Sequence, residues 1–335
     1  MRLLRILAFP LAVLYGIGIY IRNALYDWGW LKSTKFQTKT ISIGNLSVGG
    51  TGKTPMIEWL VRQIPGTYKV AVVTRGYGRK TSHPILAETD HTSQEIGDEP
   101  KQLISKFPDL IIRIDSNRKR AIHWLEKEVK PDIILLDDAH QHRRITPTIS
   151  VVLTTCSNLY ANDYFLPTGS LRDSRKEARR ADCIIVTKCS VDMTPEHQQE
   201  IIKTLKLRQG QEAIFSALEY DDKLHGANPI ALHGLQDQPF TLVTGIAQPS
   251  PLIEFLKSRG LNFKHLGFPD HYHFSEKQVN NIRKMGLVVL TEKDYVRVGH
   301  LLPNAIYIVV EHKFLGEGKS RFLKRLGIKK QSASF

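Results

Sequence analysis

The sequence predicts an α/β fold: a doubly wound, mostly parallel sheet with a second, smaller α/β domain and an N-terminal membrane-associated helix. Three observations carry this expectation. Short unbroken runs of Val, Ile and Leu alternate with helix-period segments, the pattern of a parallel sheet buried on both faces. The alternation pauses once, near Tyr220–Gln238, and then resumes. An apolar stretch with basic flanks precedes the first run.

That stretch, Ile6–Tyr20, is almost wholly apolar. Arg2, Arg5, Arg22, Lys32, Lys35 and Lys39 flank it, and Tyr15, Tyr20, Tyr26, Trp28 and Trp30 lie within or just after it. Apolar body, aromatic fringe and basic flanks suit a bilayer surface. The stretch is short against the roughly 17–25 residues of a crossing helix, and basic residues stand on both sides. A helix lying in one leaflet is therefore expected ahead of a crossing one. No small-x-small cleavage site follows, which argues against a signal peptide. The alternative is a core helix of a soluble domain, which Pro10, Gly16 and Gly18 weaken.

The formal charge of +14 favours polyanionic partners without choosing among nucleic acid, anionic lipid and phosphorylated substrate. A content of 41% hydrophobic and 24% charged residues excludes a disordered chain. Cys156, Cys183 and Cys189 form no C-x-x-C pair, which argues against a disulfide scaffold or zinc site and fits a reducing cytoplasm.

Strands are expected at Thr40–Ile43, Val70–Thr74, Leu110–Ile114, Asp132–Leu136, Ser150–Thr154 and Cys183–Thr187. Helices are expected at Lys53–Gln63, Glu99–Phe107, Arg118–Glu128 and Pro195–Leu207. Beyond the loosened stretch, strands are expected at Phe240–Thr244, Val288–Leu290 and Ile306–Val310, and helices at Pro251–Arg259 and Glu276–Met285. This divides the chain into an N-terminal segment, residues 1–35, a nucleotide-binding domain, residues 36–228, and a smaller α/β domain, residues 229–335.

The strongest local signal is Gly44-Asn45-Leu46-Ser47-Val48-Gly49-Gly50-Thr51-Gly52-Lys53-Thr54-Pro55. A strand-like run ends in a glycine-rich loop, and an amphipathic helix follows. Gly49, Gly50 and Gly52 let the backbone curl, so that its N–H groups, Thr51 included, face phosphate oxygens at a helix N-terminus. Lys53 can reach the β- and γ-phosphates, and Thr54 can ligate Mg²⁺. Pro55 in the first helical turn costs no hydrogen bond. The strict P-loop spacing would put its first glycine at Ser47, so this is a variant. The fold is accordingly P-loop NTPase-like, with ATP and Mg²⁺ as cofactors. The second acid such a site needs is supplied where Pro131–Leu136 runs into Asp137 and Asp138, at the carboxyl end of a strand.

Other segments are ambiguous on their own. Arg75-Gly76-Tyr77-Gly78-Arg79 is either an anion-holding turn or an exposed basic one. Asp98, in Gly97-Asp98-Glu99-Pro100, reads as a helix cap or as a general base or metal-shell carboxylate. His271 and His273, like His140 and His142, are too few for a metal site by themselves. The arginine-rich stretch from Asp163 to Arg180 is a solvated face or a contact for anionic lipid.

Taken together the segments resemble the tetraacyldisaccharide 4′-kinase (lipid A 4′-kinase) family. The resemblance runs nearly the whole chain. It rests on the loop Gly44–Pro55, Arg75-Gly76-Tyr77-Gly78, Gly97-Asp98-Glu99-Pro100, Asp137-Asp138-x-x-Gln141-His142, Leu166-Pro167-x-Gly169-x-Leu171-Arg172, Phe268-Pro269-Asp270-His271 and Thr291-Glu292-Lys293-Asp294. It implies ATP-dependent phosphorylation of the 4′-hydroxyl of a tetraacylated glucosamine disaccharide 1-phosphate, in a cleft between two domains, at the cytoplasmic face of the inner membrane. It further implies Asp98 as the base, paired with His271, and Tyr77, Gly78, Arg172 and Asp173 as substrate contacts. Glu99 joins Thr54, Asp137 and Asp138 as a candidate for the metal. The chain departs from the family pattern at Ala139, where glycine is usual, at Asp173-Ser174 for Glu-Pro, and at Ala247-Gln248 for Gly-Asn.

Two other classes fit a P-loop: a switch or ATPase acting on a protein partner, and a nucleic-acid-dependent ATPase. The latter needs aromatic stacking platforms on a basic groove, and most aromatics here read as anchor or core. No nucleic-acid partner and a monomeric chain are therefore expected.

Overall fold

A computed structural model describes residues 8–226 and 228–328. Arg2, Arg5 and Ile6 of the expected N-terminal flank lie outside the described residues. The chain forms two compact units: residues 1–75, 111–218 and 312–335 build the first, and residues 76–110 and 219–311 the second. Each unit thus draws on separated chain segments, where a cut at 228 would give two continuous ones.

In the first unit seven parallel strands stand in the order Glu212–Gly226, Cys183–Thr187, Ile149–Thr155, Lys39–Asn45, Ile133–Asp137, Val70–Thr74, Ile111–Ile114. The runs Ile133–Asp137 and Cys183–Thr187 are buried throughout, as suits parallel strands covered on both faces. The strand Lys39–Asn45 is central, flanked by Ile149–Thr155 and Ile133–Asp137. One core gathers Val152, Ile184, Val186 and Phe215; another gathers Ala71, Ile122, Ile134 and Leu136. Trp59, on helix Lys53–Gln63, packs 4.6 Å from the Phe314 ring and 5.7 Å from Phe322. This fixes that helix, and with it the loop before it.

The helix Phe9–Asp27 belongs to this unit and is longer than the expected apolar core. Its attachment is polar. Asn23 Nδ2 donates to Asp173 at 2.9 Å, Arg22 pairs with the same carboxylate at 3.2 Å, and Arg143 donates to Asn23 O at 3.0 Å. Phe165 lies where a Cβ on Gly16 would sit, 2.9 Å away, which accounts for a glycine in mid-helix. Among the described residues no helix is long and apolar enough to cross a membrane.

In the second unit the strands Phe263–Gly267, Phe240–Thr244, Val288–Thr291 and Ala305–Phe314 are parallel neighbours. Leu242, Leu252, Leu256, Val289 and Ile306 form one core, and Val243, Val279, Ile282 and Leu290 another. The segment expected to be loose holds the second half of the strand Glu212–Gly226, from Tyr220 on, which sequence inspection missed because that half is largely polar. Strand Phe263–Gly267 and helix Glu292–Val298 were likewise unforeseen. The helix expected at Arg118–Glu128 is α-helical to Trp124 and widens to a π turn over Leu125–Val129.

Candidate active site

In the first unit, the loop after Lys39–Asn45 places Gly52 as the N-cap of helix Lys53–Gln63, with a left-handed φ of 87°. Gly49 is left-handed too, at φ 107°, and a Cβ on Gly49 or Gly50 would meet nothing within 4 Å. The outer rim of the loop is therefore open, while its base is bolted down. Thr187 Oγ1 donates to Thr51 O at 2.9 Å, and Asn45 Nδ2 donates to Thr51 Oγ1 at 3.0 Å. His312 Nε2 lies 2.9 Å from Gly52 O and His312 Nδ1 lies 3.0 Å from Ser216 Oγ. A carbonyl only accepts, so Nε2 carries the proton and Nδ1 accepts from the serine. Burial keeps His312 neutral, lowering its pKa to about 4. Sequence reasoning missed His312, a lone histidine in an apolar strand with no motif around it. His312→Ala should lower kcat/KM for ATP by about 10- to 100-fold, with His312→Gln, which keeps a donor, in between. Steady-state kinetics at varied ATP with activity unchanged in both variants would remove the strut.

The two acids stand apart in environment. Asp137 is buried and accepts from Thr74 Oγ1 at 3.0 Å. Asp138 has a left-handed φ of 48° and is gripped by Arg172, one of whose two bonds is 2.8 Å long. Lys53 Nζ lies 3.6 Å from Asp138 Oδ1. Burial pushes the Asp138 carboxyl up, but Arg172, Lys53 and Arg118 outweigh it and hold it at about 2. Asp138 is thus ionised, and the oxygens of Asp138, Asp137 and Thr54 are of the kind a hard divalent cation takes. Lys53, Thr54, Asp137, Asp138 and Arg172 all fall in this unit. Arg172 also joins the site to the N-terminal helix: its N–H donates to Leu46 O at 2.9 Å, and its carbonyl accepts from Tyr15 Oη at 3.0 Å.

In place of the substrate contact the resemblance implies, Asp173 is fully enclosed and bonded to Asn23 and Arg22. His140 is sealed in the interior, burial lowering its pKa to about 3, and it bonds Glu177 O at 3.0 Å. It is a structural histidine.

In the second unit Asp98 opens helix Asp98–Lys106, and His271, with a left-handed φ of 57°, meets it: Nδ1 lies 2.9 Å from Asp98 Oδ2. Gly97, at φ 94°, sits so near the Tyr77 carbonyl that a Cβ would come within 3.0 Å of it. Tyr77 is 64% exposed, and its ring packs edge-on to His271 at 5.2 Å. Lys293 Nζ lies 3.0 Å from His271 Nε2 and 3.4 Å from Glu99 Oε1. An ammonium only donates, so Nε2 accepts from Lys293 and Nδ1 faces the Asp98 carboxylate. Burial would raise the Asp98 carboxyl, but His271 and Arg297 bring it down to about 2. Asp98, Glu99, His271, Tyr77 and Gly78 are thus gathered in one unit, with Glu99 beside Lys293. Arg297 was missed by sequence reasoning, although Lys293 and Arg297 stand four apart, one helical turn.

The family model for tetraacyldisaccharide-1-P 4′-kinase matches residues 4–327. The tetraacyldisaccharide 4′-kinase of Flavobacterium johnsoniae is 42% identical over 322 residues, 94% of each chain. That of Flavobacterium psychrophilum is 41% identical over 335 residues, 97% of each. The crystal structure of LpxK from Aquifex aeolicus in complex with ATP superposes with a TM-score of 0.76 at 26% identity, covering 96% of this chain and 99% of that one. A match that spans both units and almost every residue, with relatives above 40% identity, has one meaning: the chain belongs to the tetraacyldisaccharide-1-P 4′-kinase family.

Proposed function

We propose that the first unit binds ATP with Mg²⁺, that the second activates the 4′-hydroxyl of a tetraacylated disaccharide 1-phosphate, and that this hydroxyl receives the γ-phosphoryl group of ATP. The observation that carries the assignment is the 2.9 Å contact between His271 Nδ1 and Asp98 Oδ2, two residues 173 apart in sequence. A protein-directed switch or a nucleic-acid ATPase gives no reason for such a pair and is not favoured.

Phosphoryl transfer is largely a matter of positioning and charge neutralisation. The loop amides from Gly49 to Gly52 and the Lys53 ammonium hold the β- and γ-phosphates. Thr54, Asp137 and Asp138 would hold Mg²⁺, which supplies positive charge to the phosphate oxygens. Arg172 keeps Asp138 oriented and ionised. Asp98 accepts the sugar proton, and His271, contacted by Lys293 through Nε2, orients Asp98. Tyr77, whose ring packs against His271, and Gly78 beside it are assigned to the sugar. Incubation with γ-labelled ATP and the purified disaccharide tests the reading. Label must appear at the 4′ position; release only as inorganic phosphate would sink it.

The helix Phe9–Asp27 is assigned to the membrane surface, on the cytoplasmic face of the inner membrane, with the chain acting as a monomer. Phe9, Leu14 and Ile21 are 52%, 65% and 57% exposed, and Trp28 and Trp30 beyond them 70% and 76%. Each apolar side chain moved from water into lipid gains roughly 1.5–3 kcal/mol. Leu14→Glu with Ile21→Glu should therefore lower co-sedimentation with anionic phospholipid vesicles by about tenfold or more, with the melting temperature unchanged. An unchanged bound fraction would put the contact elsewhere.

A further inference from the structure

We infer that Arg297 is a positioning residue for the phosphoryl transfer: it holds Asp98 by Oδ2 and thereby makes Oδ1 the oxygen that takes the acceptor's proton. The inference rests on the reading of Asp98 as the base. Arg297 Nε donates to Asp98 Oδ2 at 2.8 Å, Nη2 lies 2.7 Å from the same oxygen, and His271 Nδ1 lies 2.9 Å from it. Three donors converge on Oδ2, and among the described residues none is bonded to Oδ1. An oxygen that already accepts two hydrogen bonds, from His271 Nδ1 and Arg297 Nε, and carries the ion pair to Nη2 is the poorer proton acceptor; its partner keeps free lone pairs.

The guanidinium is itself immobile. Its side chain is 6% exposed, and Nη1 donates to Asp294 Oδ1 and to Gly245 O, both at 3.0 Å. Asp294 is fully buried and anchored in turn by Gly245 N at 2.8 Å and Thr291 Oγ1 at 2.5 Å. Gly245 fits because a Cβ there would come within 2.7 Å of Asp294 Oδ1. All three guanidinium nitrogens are therefore engaged, and the fork cannot turn without breaking a buried bond. Such a rigid clamp holds Oδ2 in place, and with it the carboxylate plane, more firmly than the single ammonium of a lysine would. In the transfer, the sugar O–H proton goes to Oδ1 as the oxygen–phosphorus bond forms. The bond from γ-phosphorus to the β,γ-bridging oxygen breaks, and ADP leaves with that electron pair.

Arg297→Ala should lower kcat by about 100-fold while the KM values for ATP and the lipid acceptor stay within about threefold. Millimolar guanidinium added to this variant should restore about tenfold of the loss, a rescue that a merely structural role does not give. Wild-type kcat, a loss confined to KM, or no rescue in a variant with native melting each overturn the positioning role. If Arg297→Ala melts early, Arg297→Gln decides: kcat about tenfold down at unchanged KM supports the role, and wild-type kcat overturns it. Asp98→Asn is measured alongside. Turnover in that variant removes the base itself, whereas an inactive Asp98→Asn beside a fully active Arg297→Ala overturns only the clamp.

Discussion

Asp98→Asn is expected to lower kcat by about 10²- to 10⁴-fold, the range that loss of a general base covers, with a smaller change in either KM. Asparagine keeps the shape and an acceptor for Arg297 and His271 but cannot take a proton. Turnover within a few-fold of wild type would exclude Asp98 from the chemistry. A second signature is thermodynamic. The Asp98 and Asp138 carboxyls are both held at about 2, against the effect of burial, by His271 with Arg297 and by Arg172 with Lys53. A lowered native pKa stabilises the fold fully above the unfolded value, and that stability is lost as pH falls toward the native one. The variant lacks one of these two contributions. Its melting temperature should therefore fall less steeply than wild type between about pH 4 and pH 2.

Lys53→Ala is the second large effect. Its ammonium lies 3.6 Å from Asp138, is 19% exposed, and stands at the first position of the helix that the loop caps. Removing a donor aimed at charge that develops in the transition state costs about 10²–10³ in rate. A loss of that size in kcat/KM for ATP is expected, with ATP affinity weakened as well. Lys53→Arg should not recover it, because a planar fork cannot occupy the place of a point charge among loop amides. Kinetics together with a nucleotide-binding titration check both parts. Full activity in Lys53→Ala would mean that the glycine-rich loop is not the phosphate cradle.

Much of the fold was legible. The strands Val70–Thr74, Cys183–Thr187 and Phe240–Thr244 and the helix Lys53–Gln63 fall where the apolar runs and the loop placed them. These are segments whose burial is uniform, so their composition is too. The strand Glu212–Gly226 was not legible, because its Tyr220–Lys223 portion carries polar residues that are partly or fully exposed. At the site, residues carried by a glycine-rich loop or a strand-end acid announced themselves. Asp98 did not: its carboxylate looks like a helix cap until Arg297 and His271 arrive from far along the chain. His312 and Arg297 were illegible for the same reason. Each acts on a backbone or side chain hundreds of residues away, and no local spacing encodes that.

The discontinuous build of the second unit has a consequence for how the protein is made. The segment 76–110, which carries Asp98, joins residues 219–311 in one compact body, so about 200 residues separate the end of the first piece from the end of the second. At ordinary translation speeds of about 5–20 residues per second, the earlier piece waits roughly 10–40 seconds on the ribosome before its partner is complete. The acid of the dyad is synthesised early and acquires its surroundings only near the end. Shortening the chain at its C-terminal end removes residues 312–335 from the first unit, which is otherwise built much earlier, and neither unit can be expressed by itself as a single uninterrupted stretch.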